Sequence, residues 1–150
     1  MLKEGDKAPN FKGIDQNNEP IELSNFSKKK LILYFYPKDD TPGCTKEACN
    51  LRDNYDALSK DNFAVVGVSA DTSAKHTKFI SKYNLPFSLL ADTEKEVIKS
   101  YYCWGLKKFM GREYEGILRK TFVIENNTII KIFEKVKTTD HFNQIIEALN

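Results

Sequence analysis

Two apolar runs separated by a stretch of helical spacing constrain this chain more than any other feature. Leu31-Ile32-Leu33-Tyr34-Phe35-Tyr36 and Phe63-Ala64-Val65-Val66-Gly67-Val68-Ser69 are short and continuous, as strands covered on both faces are. Pro37 ends the first. Between them Cys44, Ala48, Leu51, Tyr55 and Leu58 recur at steps of four, three, four and three, which predicts a helix within residues 42–60. The unit is β-α-β, parallel and right-handed.

The pattern then repeats. Helical spacing covers about Ser73 to Tyr83, a short strand is expected around Phe87 to Leu90, and a helix from about Thr93 to Tyr102. Lys120 to Ile124 and the alternating Ile130, Ile132 and Val136 flank Glu125-Asn126-Asn127-Thr128. The Asn-Asn pair tolerates the positive φ of a tight hairpin turn. Asp140 to Leu149 closes the chain as a helix with an Asp cap and a stripe of Phe142, Ile145, Ile146 and Leu149. Alternating β and α elements followed by a hairpin and a last helix predict an α/β fold of thioredoxin-like topology, a central mixed sheet flanked by helices. Gly and Pro are dispersed and no repeat is present, so residues 1–150 are expected to form one domain.

The 23 basic and 21 acidic residues are interspersed, and the net charge of +2 gives no general attraction to nucleic acid. Lys28-Lys29-Lys30 reads as a solvated loop before a strand. Met1 to Asp6 has no apolar core or cleavage site, and Leu31 to Tyr36 is far below membrane-spanning length, so an unexported, cytoplasmic protein is expected. Three cysteines are an odd number for a disulfide framework. In a reducing compartment, a close pair is more often catalytic or metal-binding.

Thr41-Pro42-Gly43-Cys44 reads as a helix start, with Thr41 at the N-cap and Pro42 at the first helical position, where its missing N–H costs nothing. Cys44 then lies in the first turn, where unpaired N–H groups and the helix dipole favour a thiolate over a thiol. Gly43 lets a small substrate approach the backbone, and free N–H groups can bind an oxygen that gains negative charge. The competing assignment is a core cysteine, since Cys44 shares a stripe with Ala48, Leu51 and Tyr55.

Cys49 lies five residues on. On an ideal helix that step is a rotation of about 140° and a rise of about 7.5 Å, which separates the Cα atoms by roughly 8.7 Å. A disulfide usually needs less than about 7 Å. If the two bond, the first turns of the helix must unwind, and the spacing of Cys49 with Arg52, Asp53 and Asp56 puts it on the polar face, where unwinding is easier. Four metal ligands are not available nearby, so no metal is expected. Cys103, in Tyr101-Tyr102-Cys103-Trp104-Gly105, is expected to pack at a helix end, and Trp104 to be part core or a pocket wall. His76 and His141 are expected on the surface of helices. A thiolate acting on a small polar oxidant benefits from a cation that cannot lose its proton, and only Arg52, Arg112 and Arg119 offer one. Arg119 is the leading choice because it opens the strand Lys120 to Ile124; a solvated strand-end arginine is the other reading.

These residues resemble the peroxiredoxins, and among them the bacterioferritin-comigratory or PrxQ subfamily. The pattern Pro-x-x-x-Thr/Ser-x-x-Cys is met by Pro37, Thr41 and Cys44, and Thr41-Pro42-Gly43-Cys44-Thr45-Lys46-Glu47-Ala48-Cys49 carries the subfamily's second cysteine. The likeness runs from Gly5-Asp6-Lys7-Ala8-Pro9-Asn10-Phe11 to Arg119-Lys120-Thr121-Phe122-Val123-Ile124. It implies a thioredoxin fold and reduction of hydrogen peroxide or an alkyl hydroperoxide without metal or organic cofactor. By position, Cys44 resembles the peroxidatic cysteine, Thr41 the hydroxyl that orients the peroxide, Pro37 the shield against water, and Arg119 the stabilising guanidinium. Cys49 resembles the resolving cysteine, whose disulfide with Cys44 a thioredoxin-type reductant opens; such chains are often monomeric. Two other readings stay open: a thiol-disulfide oxidoreductase, which normally needs Cys-x-x-Cys whereas position 41 is Thr, and a peroxide sensor using the same thiols.

Overall fold

A computed structural model describes residues 1–150. A small antiparallel pair, β1 (Lys12–Ile14) and β2 (Pro20–Glu22), precedes a 3-10 turn and β3 (Lys30–Phe35). There follow α1 (Pro42–Asp53), α2 (Tyr55–Lys60), β4 (Phe63–Ser69), α3 (Ser73–Tyr83), β5 (Ser88–Ala91) and α4 (Glu96–Ser100). A second hairpin, β6 (Trp104–Phe109) and β7 (Arg112–Ile117), leads to β8 (Lys120–Glu125), β9 (Thr128–Phe133) and α5 (His141–Leu149). The central sheet has the order β5-β4-β3-β8-β9. β3, β4 and β5 are parallel, whereas β8 is antiparallel to β3 and β9 to β8.

Alternation along β3 divides the core in two. Leu31, Leu33 and Phe35 face a cluster with Phe11, Val66, Leu90, Tyr101 and Phe122, and Ile32, Tyr34 and Tyr36 face one with Cys44, Ala48, Leu51, Phe79 and Ile145. Cys44, Ala48 and Leu51 of the helical stripe read from the sequence form the inward face of α1, and Leu58 continues it on α2. Leu51, with no exposed surface, contributes roughly 2 kcal/mol from burial.

Some expectations change. The helix placed within residues 42–60 breaks at Asn54, whose Nδ2 donates to the Asn50 carbonyl at 2.9 Å while its own N–H turns to Arg52 O. The helix expected over residues 93–102 shortens to Glu96–Ser100, because Asp92 gathers its start by accepting from Ile98 N–H at 2.7 Å. Both small hairpins escaped the strand reading: β6 and β7 are mostly exposed, so they show little hydrophobic alternation. Thr41 and Asp140 hold the N-cap positions of α1 and α5 without side-chain capping bonds. Asn50 instead reaches from α1 to accept from Phe142 N–H at 2.7 Å. No helix is long and apolar enough to cross a membrane.

Candidate active site

The sheet brings two distant segments to one edge. Because β8 runs antiparallel to β3 and Lys120 pairs with Phe35, the end of β3 and the start of β8 are neighbours. The first leads through Pro37 to Thr41 into α1, and the second is preceded by Arg119. Cys44, in the first turn of α1, is 1% exposed. The first backbone bond of the helix is Thr45 N–H to Thr41 O at 2.8 Å, so the N–H groups of Gly43 and Cys44 have no partner within the helix.

Arg119 Nη2 donates to Cys44 Sγ at 3.3 Å, and its Nη1 donates to Glu47 Oε1 at 2.7 Å. Burial works against the guanidinium charge, but Glu47 and Cys44 together hold Arg119 above its ordinary value. A Cβ on Gly43 would lie 3.3 Å from Arg119 Nη2, so glycine leaves the guanidinium its room. The other arginines are elsewhere: Arg112 is exposed on β7, and Arg52 pairs with Asp53 and donates to Tyr83 O at 2.8 Å. Thr41 Oγ1 donates to Lys38 O at 2.8 Å, and Pro37, the residue before Lys38, is half-buried.

A sulfur in a helix's first turn, touched by one arginine, stands in an electropositive setting that favours a thiolate. The AhpC/TSA family model matches residues 4–133. The chain belongs to that family. Peroxiredoxin Bcp of Bacillus subtilis (strain 168) is 43% identical over 146 residues, covering 97% of this chain and 93% of its own length. Peroxiredoxin Bcp of Escherichia coli (strain K12) is 42% identical over 149 residues, covering 99% and 96%. Among solved structures, a Xylella fastidiosa PrxQ mutant superposes with a TM-score of 0.92 at 27% identity, over 99% of this chain and 96% of that one. The Xanthomonas campestris bacterioferritin comigratory protein, described for its alkyl peroxide reduction activity, gives 0.85 at 26% identity over 93% and 89%. The chain is thus a peroxiredoxin, a thiol peroxidase with the thioredoxin fold.

In this peroxiredoxin Cys49 lies further along the same unbroken α1, partly exposed, and all three cysteines are free thiols. Burial raises the Cys49 thiol above its ordinary value, against the pull of Arg52. Cys103 is fully buried, and burial pushes its thiol up to about 12. Trp104 is half-buried at the start of β6.

Three polar residues at the site were missed or misplaced by sequence reasoning. Glu47 is fully buried beneath Cys44, and burial drives its carboxyl up to about 7 against the opposing influence of Arg119. Its Oε2 has no hydrogen-bond partner. The signal was present: Glu47 lies three residues after Cys44, on the stripe of Ala48 and Leu51. His76 and His141, expected on helix surfaces, both have no exposed surface. His76 shares a face of α3 with Phe79, and His141 one of α5 with Ile145, so helical spacing already placed both inward. Burial lowers His141 to about 4, so it is neutral at pH 7. Its Nδ1 donates to Gln144 Oε1 and its Nε2 accepts from Thr121 Oγ1, each at 2.8 Å. The 3.7 Å approach of Nε2 to Glu47 Oε2 is therefore no ion pair.

Proposed function

We propose that Cys44 is the peroxidatic cysteine, Arg119 its electrostatic partner, Thr41 the hydroxyl that orients the peroxide, Pro37 the shield of the pocket and Cys49 the resolving cysteine. The observation that carries this reading is the 3.3 Å contact of Arg119 Nη2 with the buried Cys44 Sγ. Cys44 Sγ, as thiolate, attacks one peroxide oxygen; the O–O bond breaks, the leaving oxygen takes a proton as water or alcohol, and the sulfur becomes a sulfenic acid. Arg119 and the free N–H groups of the first turn face the oxygen that gains charge. Cys49 then loses its proton and attacks the sulfenic sulfur, water departs and a Cys44–Cys49 disulfide forms. A thioredoxin-type dithiol reduces it. The step from 44 to 49 on one helix requires α1 to unwind before the sulfurs meet.

The substrates of this reading are hydrogen peroxide and alkyl hydroperoxides, the second because such activity is described for the Xanthomonas relative. We place the peroxidase in the cytoplasm as a monomer of one domain over residues 1–150, acting without cofactor. Intact mass after one equivalent of peroxide, alongside thioredoxin-coupled turnover, tests the roles. Cys44→Ser should consume no peroxide, and Cys49→Ser should form a sulfenic acid once and recycle poorly. Normal turnover of Cys49→Ser, or a Cys44–Cys103 bridge in the wild type, would remove Cys49 from its role.

A further inference from the structure

The loop between β3 and α1 is tied to α3 by two consecutive carboxylates that the reading of Cys44 leaves unused. Asp40 stands at φ +59, and its oxygens accept from Lys82 Nζ and Tyr83 Oη, both at 2.8 Å. Asp39 turns inward. Its Oδ1 accepts from Tyr36 Oη at 2.6 Å, its Oδ2 lies 2.6 Å from His76 Nδ1, and its N–H donates to Asp71 Oδ2 at 2.8 Å.

Both ring nitrogens of the buried His76 face acceptors. Nε2 lies 3.0 Å from the Leu90 carbonyl oxygen, which only accepts, so Nε2 carries a hydrogen. Nδ1 faces a carboxylate, so the 2.6 Å contact must hold a hydrogen of its own. The pair therefore contains one proton more than a neutral imidazole beside an ionised carboxylate. Remove it, and a nitrogen lone pair opposes a carboxylate oxygen in a buried site, which breaks the contact. Asp39, Asp71 and His76 have ligand atoms within 4.8 Å of one another, as a metal site would. Their lone pairs are already engaged, however: Asp71 Oδ2 accepts from Ser69 Oγ at 2.7 Å as well as from Asp39 N–H. The other titratable or charged groups around the pair are Tyr36 directly after β3, Asp71 from the turn after β4, and Lys38, Asp40, Lys75, Lys78 and Lys82 around a cleft of about 370 Å³ outside the carboxylates.

We infer that His76 is a positioning residue of the peroxidase: through the hydrogen it shares with Asp39 it holds the loop that presents Thr41 and the first turn of α1 to Arg119. The inference rests on Cys44 being the peroxidatic cysteine. Oxidation of Cys44 needs the loop held, whereas disulfide closure needs α1 to open, so loss of the tie acts on the two steps in opposite directions.

Stopped-flow single turnovers with hydrogen peroxide separate those steps. His76→Leu should slow Cys44 oxidation at least roughly tenfold, since small misplacements near a reacting atom have effects of that order, while closure with Cys49 stays as fast or becomes faster. Asp39→Asn, whose Nδ2–H can donate to His76 Nδ1, should retain more of the oxidation rate than His76→Leu. In the Cys44→Ser protein, ¹⁵N-edited NMR should detect a far-downfield proton on His76 Nδ1 at neutral pH. An unchanged oxidation rate in His76→Leu, equal slowing of both steps, or a bare Nδ1 at neutral pH would each overturn the inference. Peroxide consumption by Cys44→Ser would instead overturn the reading of Cys44, while the NMR signal still judged the Asp39–His76 pair.

Discussion

On one side of α1 a buried histidine meets a carboxylate at 2.6 Å; on the other, a second buried histidine stands 3.7 Å from one. His76 and His141 are equally withdrawn from water, yet their rings face different partners. His76 is faced by a carbonyl and a carboxylate, so both nitrogens need hydrogens. His141 is faced by the Gln144 amide oxygen and the Thr121 hydroxyl, which can donate, so one hydrogen suffices. Burial keeps His141 neutral, while the partners facing each ring decide which nitrogens need hydrogens. Both clusters serve the N-terminal end of α1: Asp39 secures the loop that leads into it, and Glu47, one turn after Cys44, holds Arg119.

The largest effect is expected where the second cluster touches the sulfur. Arg119→Ala removes the donor at 3.3 Å and should slow Cys44 oxidation by roughly 10²–10³-fold, the range seen when one oxyanion donor is lost. Stopped-flow oxidation is the measurement, and Arg112→Ala is the control expected to behave as wild type. Equal rates for the two variants would detach Arg119 from the chemistry.

Next comes Glu47. Its folded value of about 7 lies above the ordinary 4.5, so the folded protein binds this proton more tightly than the unfolded chain. That contribution is complete below pH 4.5 and is lost as the pH rises through 7, amounting to roughly 3 kcal/mol by pH 8. Glu47→Gln keeps an acceptor for Arg119 and should flatten this part of the curve in urea unfolding between pH 5 and 8. Curves that ran parallel for the variant and the wild type would show that Glu47 ionises freely when folded.

His141 should act on the acid side and more weakly. Its value falls from 6.5 to about 4 on folding, so its contribution is complete above pH 6.5 and is lost as the pH falls toward 4. At pH 5 the loss is roughly 2 kcal/mol. His141→Asn should reduce the slope between pH 7 and 5 whatever it does to overall stability. An unchanged slope would mean that His141 is not held neutral.

Much of the architecture was legible because it depends on periodicity. Phe63–Ser69 and Ser73–Tyr83 form the expected strand and helix with the expected bounds, since strong apolar patterning and punctuation mark both. The break at Asn54 was not legible, because the stripe Cys44, Ala48, Leu51, Tyr55 and Leu58 continues across it and only a side-chain bond to the Asn50 carbonyl interrupts the backbone. The exposed hairpin β6–β7 was hidden for the opposite reason: with few buried residues, it has little pattern to read. At the site, Thr41-Pro42-Gly43-Cys44 announced its helix start through residue chemistry alone.

By itself, then, the sequence determined the helix start at Thr41 to Cys44, the two sulfurs on one helix and the mixed α/β fold, because these follow from local spacing and backbone preference. Only the tertiary structure decided which arginine meets the sulfur, through the antiparallel register of β8 on β3 that sets Lys120 opposite Phe35. It also decided that Glu47, His76 and His141 are buried and which groups they face. Charge state inside a protein depends on neighbours far away in the chain, and spacing along one helix cannot supply them.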